Sequence, residues 1–263
     1  MVPDRAERKR CARELLKTAQ VSPLKMTALY CGCTLLLNLL GSLPDALPAA
    51  DGAAWLEPLS LFASIFTSLA GWILAAGFTL YCMGIRRREV TEAGTLFDGF
   101  SFTGKIVTLN IVMDVFVFLW SMLFAIPGII AFYRYRFALY NLYEDPERNI
   151  LDALEMSKRQ TYGMKLDLLK LDLSYLGWVL LGMLPALLVD GRVYYQALIG
   201  DPSAILSSGP SLLSILLCGL WSLAVALFYL PNYQCVMLDY FDAAKAQAPN
   251  ALPRRNDFDT FDR

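Results

Sequence analysis

The sequence predicts an all-α membrane protein: a polytopic bundle of six transmembrane helices, both termini cytoplasmic, with one amphipathic helix on the cytoplasmic surface. Three observations predict it. Of 263 residues 56% are hydrophobic, and the mean hydropathy is +0.45, above what ordinary soluble domains show. Apolar runs of about 18 residues or more, the length a bilayer requires, recur along the chain. All but Arg192 of the 23 lysines and arginines fall in alternate loops or within a long side chain's reach of them. Cationic loops remain cytoplasmic, so this alternation sets the threading.

The basic segment 1–23 carries Arg5, Arg8, Lys9, Arg10, Arg13 and Lys17, with Lys25 just beyond it. The apolar run after it, 24–43, exceeds the roughly 7–15 residues of a signal-peptide core and is predicted to be a retained first span. Loop 44–58 has no cation and holds Pro44, Pro48, Gly52 and Pro58, so it is expected outside. Span 2, 59–85, ends at Arg86-Arg87-Arg88, an inside marker. Segment 105–143 would be roughly 58 Å long as one helix, about twice the hydrocarbon thickness. Pro127-Gly128 interrupts it, and both residues break helices. Two spans are therefore expected, 105–126 and a short, tilted or partly crossing 128–143.

Asp145-Pro146 reads as a helix start. The spacing of Ile150, Leu151, Leu154 and Tyr162 predicts an amphipathic helix over 145–162, either lying on the membrane surface or capping loop ends. Span 5 covers 164–189 and loop 190–208 is expected outside. Span 6 covers 212–229 and can continue helically past Pro231 to Lys245. The tail 246–263 is polar and is expected to be disordered. Residues 24–245 thus form a single membrane domain.

Several function classes are excluded or disfavoured. The chain has no histidine, which removes His-dependent triads, His-ligated metals and His proton relays. Its six cysteines form no CxxC pair, so no metal site is expected. No nucleotide loop, EF-hand or nucleophile elbow is present. No cofactor is implied. The net charge of −1 leaves no basic excess for nucleic acid.

Two groups of residues are candidates for function. Charges inside a bilayer need a partner or a role. Counted at 1.5 Å per residue, Asp114, Arg134, Arg136 and Asp172 all lie about 11–14 Å from the inner boundary. Arg134 and Arg136 are two residues apart and face different ways, so each can serve a different carboxylate. Snorkelling to the interface is the competing explanation. The second group is a basic inner surface of Arg86, Arg87, Arg88, Arg148, Lys158, Arg159 and Lys165, suited to anionic headgroups. Small residues on span 2 (Ser60, Ser64, Ser68, Gly71, Ala75, Thr79) and span 6 are expected to let backbones approach, and Asn38 and Asn110 to bond between helices.

Phe97–Lys105 (FDGFSFTGK), Ile126–Ile130 (IPGII), Tyr143–Pro146 (YEDP), Ala153–Lys158 (ALEMSK), Leu173–Trp178 (LSYLGW) and Pro231 through Tyr240-Phe241 occur in an order that resembles the bacterial integral membrane family catalogued as domain of unknown function nine-seven-five. Asn232 between Pro231 and Tyr233, and Tyr175 in place of Phe, depart from its usual pattern. A more distant similarity is to the membrane portion of some glycerophosphodiester phosphodiesterases, which implies work beside lipid enzymes. The resemblance implies a bacterial cytoplasmic-membrane location and no known activity. The expected function is a non-catalytic module binding membrane lipids, another membrane protein or a second copy of itself. A small-solute transporter or channel built around the charge layer is the alternative, and a membrane-embedded enzyme the weakest.

Overall fold

The computed structural model describes residues 5–46, 55–89, 91–199 and 211–247. The expected outer loops lie largely outside these residues, as does the tail beyond Gln247. Every element among the described residues is helical. In chain order they are α1 (Arg5–Lys17), α2 (Pro23–Gly41), α3 (Leu43–Ala46), α4 (Leu56–Arg87), a 3-10 segment (Ala93–Phe102), α5 (Thr103–Leu123), α6 (Ala125–Arg134), α7 (Ala138–Glu144), α8 (Ile150–Gln160), α9 (Lys165–Ile199) and α10 (Leu212–Gln247).

Five helices are long and apolar enough to cross a membrane: Pro23–Gly41, Leu56–Arg87, Ala93–Leu123, Lys165–Val189 within α9, and Leu212–Gln247. The sixth expected span, 128–143, is not one helix. It consists of the ten-residue α6 and the seven-residue α7, with Tyr135-Arg136-Phe137 unwound between them. The break before it lies at Phe124, which is extended (φ −162°, ψ 153°), and not at Pro127-Gly128. Pro127 fits the first turn of α6 because N–H groups there have no helical acceptor. Gly128 is needed for close approach, since a Cβ there would overlap the Ser121 side chain.

The α6–α7 pair nonetheless runs back along α5. Lys105 Nζ donates to the Pro146 carbonyl, Phe116 and Tyr135 rings lie 5.8 Å apart, and Ser121 faces Gly128. The 3-10 segment lies against α4 at two glycines. A Cβ on Gly77 would overlap the Leu96 carbonyl, and one on Gly99 would come within 2.5 Å of the Ile73 carbonyl. Helix α4 ends where Arg88 adopts φ +57° and Glu89 N–H bonds back to Gly84 O at 2.9 Å, a left-handed stop of the Schellman kind.

Burial is uneven along the helices. The buried residues of α4 run from Ile73 to Ile85 and those of α10 from Val225 to Ala244. Phe78, Tyr81, Cys82, Leu168, Leu171, Cys235, Val236 and Phe241 form one core at that end. The other half of each helix exposes large apolar side chains, among them Phe62, Phe66, Phe118, Leu123, Leu188 and Leu217. An exposed apolar band of this extent has no counterpart on a soluble monomer and suits hydrocarbon.

Ion pairs tie the packed end together. Asp239 on α10 accepts from Arg8 on α1 and, at 2.6 Å, from Arg86 on α4, and Arg86 also meets Asp242. Glu144 at the end of α7 receives Arg87 at 2.9 Å and Lys245 at 2.5 Å. The N-terminal helix and the C-terminal end of α10 therefore share one end of the bundle. Helix α1, which the sequence offered only as a basic segment, is an integral part of that end. Arg8 and Ala12 are buried, Arg8 lies over the Tyr240 ring at 4.4 Å, and Asn232 Nδ2 donates to Lys9 O at 3.1 Å.

The expected helix over 145–162 begins later. Asp145 caps the end of α7 and α8 starts at Ile150 after Asn149. Residues 145–149 turn instead, with Arg148 paired to Asp145 at 3.2 Å. Leu154 is buried but Leu151 and Tyr162 are exposed, so α8 does not bury the whole anticipated stripe. It packs through Leu154 and Ile150 and through polar groups. Ser157 Oγ donates to Arg134 O at 2.8 Å and accepts from Phe137 N–H at 3.0 Å. Asn141 and Gln160 exchange two amide bonds of 2.9 Å. The two Ser157 bonds satisfy backbone groups released where α6 and α7 separate.

Candidate functional site

The unwinding between α6 and α7 aims Arg136 at α9 and α10. Its guanidinium donates to the Tyr233 hydroxyl and lies 4.0 Å from Asp172. The Asp172 carboxylate accepts from Tyr233 at 2.7 Å and from Tyr133 at 2.8 Å. Tyr140 donates to Gln234 at 3.4 Å, and Gln234 donates to Thr79 at 3.4 Å. Tyr175 bonds Asn232 at 2.5 Å. The result is a polar layer joining α4, α6, α7, α9 and α10, with α1 attached through Asn232. Ionised acceptors make the two tyrosine bonds to Asp172 the strongest links in it. The Arg136–Asp172 ion pair, at its distance limit and with each side chain about a quarter exposed (25% and 26%), contributes less.

The structure brings together only half of the predicted charge layer. Arg136 and Asp172 meet. Asp114 is exposed on α5 and forms no ion pair among the described residues. Its helix turns that position outward, away from α6. Arg134 faces the other way from Arg136, as their spacing requires, but meets the Trp120 ring at 6.0 Å and no carboxylate among the described residues. Tyr133, Tyr140 and Tyr233 complete the layer; from sequence Tyr133 and Tyr140 read as interface anchors, which account for inner-half tyrosines equally well.

The basic inner surface is largely neutralised from within. Arg86 and Arg87 are paired as described, Arg148 with Asp145, and Arg159 with Glu155 at 2.7 Å. Arg88 and Lys158 are exposed, Lys165 is half-buried, and none of these three has a carboxylate partner among the described residues. Asp167 and Lys170 pair at 3.5 Å, as their spacing predicts.

The small-residue seams divide. Ser64 and Ser68 on α4 bond carbonyls of their own helix, and so does Asn110 on α5, whereas Thr79 donates within α4 and also accepts from Gln234 on α10. On α10, Ser222 donates to Gly182 O at 2.9 Å and Trp221 to Leu181 O at 2.8 Å, which joins α9 to α10. Between α2, α9 and α10 lies a half-open groove of about 320 Å³, lined by Thr34, Asn38, Gly182, Gly219, Ser222 and Tyr229 among others; neither Arg136 nor Asp172 lines it.

Residues 122–247 match a family model described as protein of unknown function (DUF975). The resemblance carried by the sequence motifs is thus shown over that stretch, which holds α8, Arg136, Asp172 and the tyrosines bonded to them but not Thr79, Lys9 or Phe97–Lys105. No curated protein and no solved structure matches the chain, and the more distant similarity to glycerophosphodiester phosphodiesterase membrane portions is not among what these comparisons found.

Proposed function

We propose that the protein is a non-catalytic module of the bacterial cytoplasmic membrane, whose packed end faces the cytosol and binds membrane lipid or a partner protein. The observation that carries this reading is the division of the molecule. One end holds the core, the ion pairs and nearly all the cations. The other half presents bare apolar helices to hydrocarbon. Cations favour the cytoplasmic side, so the packed end is assigned there, together with α1 and the end of α10. The return of α6–α7 to the level of Lys105 supports a sixth, broken crossing. Non-helical backbone at membrane depth is tolerated where protein buries it, as Ser157 does here.

Cys11 on α1 is exposed and tests the orientation. In a variant retaining only that cysteine, a membrane-impermeant maleimide labels it after the membrane is permeabilised and not before. Labelling of intact cells overturns the assignment. Affinity purification in mild detergent, with mass spectrometry of lipids and proteins together, tests the function. Recovery of neither a specific lipid class nor a stoichiometric partner removes the reading.

The groove between α2, α9 and α10 favours a second reading, a small-solute transporter. Its lining omits the Arg136–Asp172 pair, which leaves that charge pair inside a packed polar layer and the first reading ahead.

A further inference from the structure

We propose that Arg134, Lys158 and Lys165, at the junction of α6, α8 and α9, bind the phosphate group of an anionic phospholipid. This deepens the lipid form of the function proposed above and rests on it.

The fold builds the cluster from three elements. Ser157 and Thr161 donate to the Arg134 carbonyl at 2.8 and 3.3 Å, clamping the end of α6 onto the last turn of α8. Lys158 stands on that turn. Gly163, at φ +82°, reverses the chain so that Lys165 opens α9 beside it. Arg134 and Lys158 both lie near enough to act electrostatically on Lys165. Three cations brought together repel one another unless something anionic is shared among them. Elsewhere at this end the chain supplies that anion itself, as for Arg86, Arg87, Arg148 and Arg159. Here no described carboxylate pairs with any of the three.

A further donor is left over. The Arg134 Nε–H is buried and finds no acceptor, and buried polar groups ordinarily have one. A phosphate offers the acceptor oxygens that a guanidinium and two ammonium groups match. The surroundings favour a lipid as its source. Tyr162 and Leu166 beside the cluster are 84% and 67% exposed, an apolar flank for acyl chains, and polybasic sites at the cytoplasmic leaflet attract anionic headgroups.

The test titrates the full chain in detergent with phosphatidylglycerol, phosphatidylcholine or inorganic phosphate, and counts bound lipid by native mass spectrometry. Wild type is expected to prefer phosphatidylglycerol. Lys158→Gln with Lys165→Gln is expected to weaken that binding about fivefold per cation removed, while Lys17→Gln, at an exposed position of α1, leaves it unchanged. Both lysine side chains reach the surface, so this double variant folds even if Arg134→Gln does not. If the double variant binds phosphatidylglycerol as wild type does, the site is wrong although lipid binding stands. If wild type does not distinguish the two lipids, the site and the lipid reading both fall. Displacement of the lipid by inorganic phosphate at matching concentration makes free phosphate the ligand and overturns the lipid assignment.

Discussion

Asp172→Asn and Asp114→Asn make the same chemical change in two spans and are expected to have opposite effects. The Asp172 carboxylate accepts two tyrosine hydroxyls at 2.7 and 2.8 Å and faces Arg136 at 4.0 Å. Hydrogen bonds to a charged group contribute about 1.5–3 kcal/mol each. An asparagine oxygen keeps one of them in weaker form and leaves Arg136 without its counter-charge. Removing one partner of a fully buried pair costs about 3–5 kcal/mol, and the quarter exposure of both side chains brings this nearer the surface range. The net loss is about 2–3 kcal/mol, which for a domain of this size lowers the Tm by roughly 5–10 °C. Asp114 has no ion-pair partner among the described residues and is exposed on an apolar helix, where a charge is costly, so its neutralisation leaves the Tm unchanged or raises it. Thermal unfolding of the purified variants in one detergent reads both. The reasoning is refuted if Asp172→Asn leaves the Tm where it was, or if Asp114→Asn lowers it as far. Because the polar layer is read as structural, Asp172→Asn is also expected to bind phosphatidylglycerol as wild type does once folded.

The remaining predictions concern how the packed end is assembled. Gly77→Ala pushes a methyl into the Leu96 backbone, and with main chain on both sides the overpacking cost of about 1–3 kcal/mol is expected at its upper limit, seen as a lower Tm. Ser157→Ala removes one bond to Arg134 O and one from Phe137 N–H. Leaving buried groups unsatisfied costs about 1–3 kcal/mol, and hydrogen exchange should quicken first over 134–138. Asp239→Asn weakens the contact that joins α1 and α4 to α10, so trypsin should cut within α1 sooner than in wild type, while Asp242→Asn, with its more exposed carboxylate (48%), changes the cutting rate less.

The helices long and apolar enough to cross a membrane were legible because hydropathy and length act locally. Spans expected at 24–43, 59–85 and 105–126 stand within about three residues of α2, α4 and α5. The region 124–162 was not legible to the same degree. Pro127-Gly128 marked a break, but a proline is accommodated in a first helical turn, so the chain bends at Phe124 instead. Nothing local in Tyr135-Arg136-Phe137 signals an unwound turn. It is held open by Ser157, about twenty residues downstream, and such a bond has no sequence period.

By itself the sequence determined that this chain holds helices long and apolar enough to cross a membrane, because apolar length is a property of each segment alone. It also located the charges that a bilayer would not leave unanswered. Only the tertiary structure decided which charges are answered. Arg136 meets Asp172 because α6 unwinds beside α9 and α10, Asp114 meets no charge among the described residues because α5 exposes it, and Arg86 and Arg87 are neutralised by acids from distant helices while Arg148 and Arg159 pair within their own turns. Whether a charge is free depends on what the fold brings within a few ångströms of it, and here that leaves the Arg134–Lys158–Lys165 junction as the place where an outside anion fits.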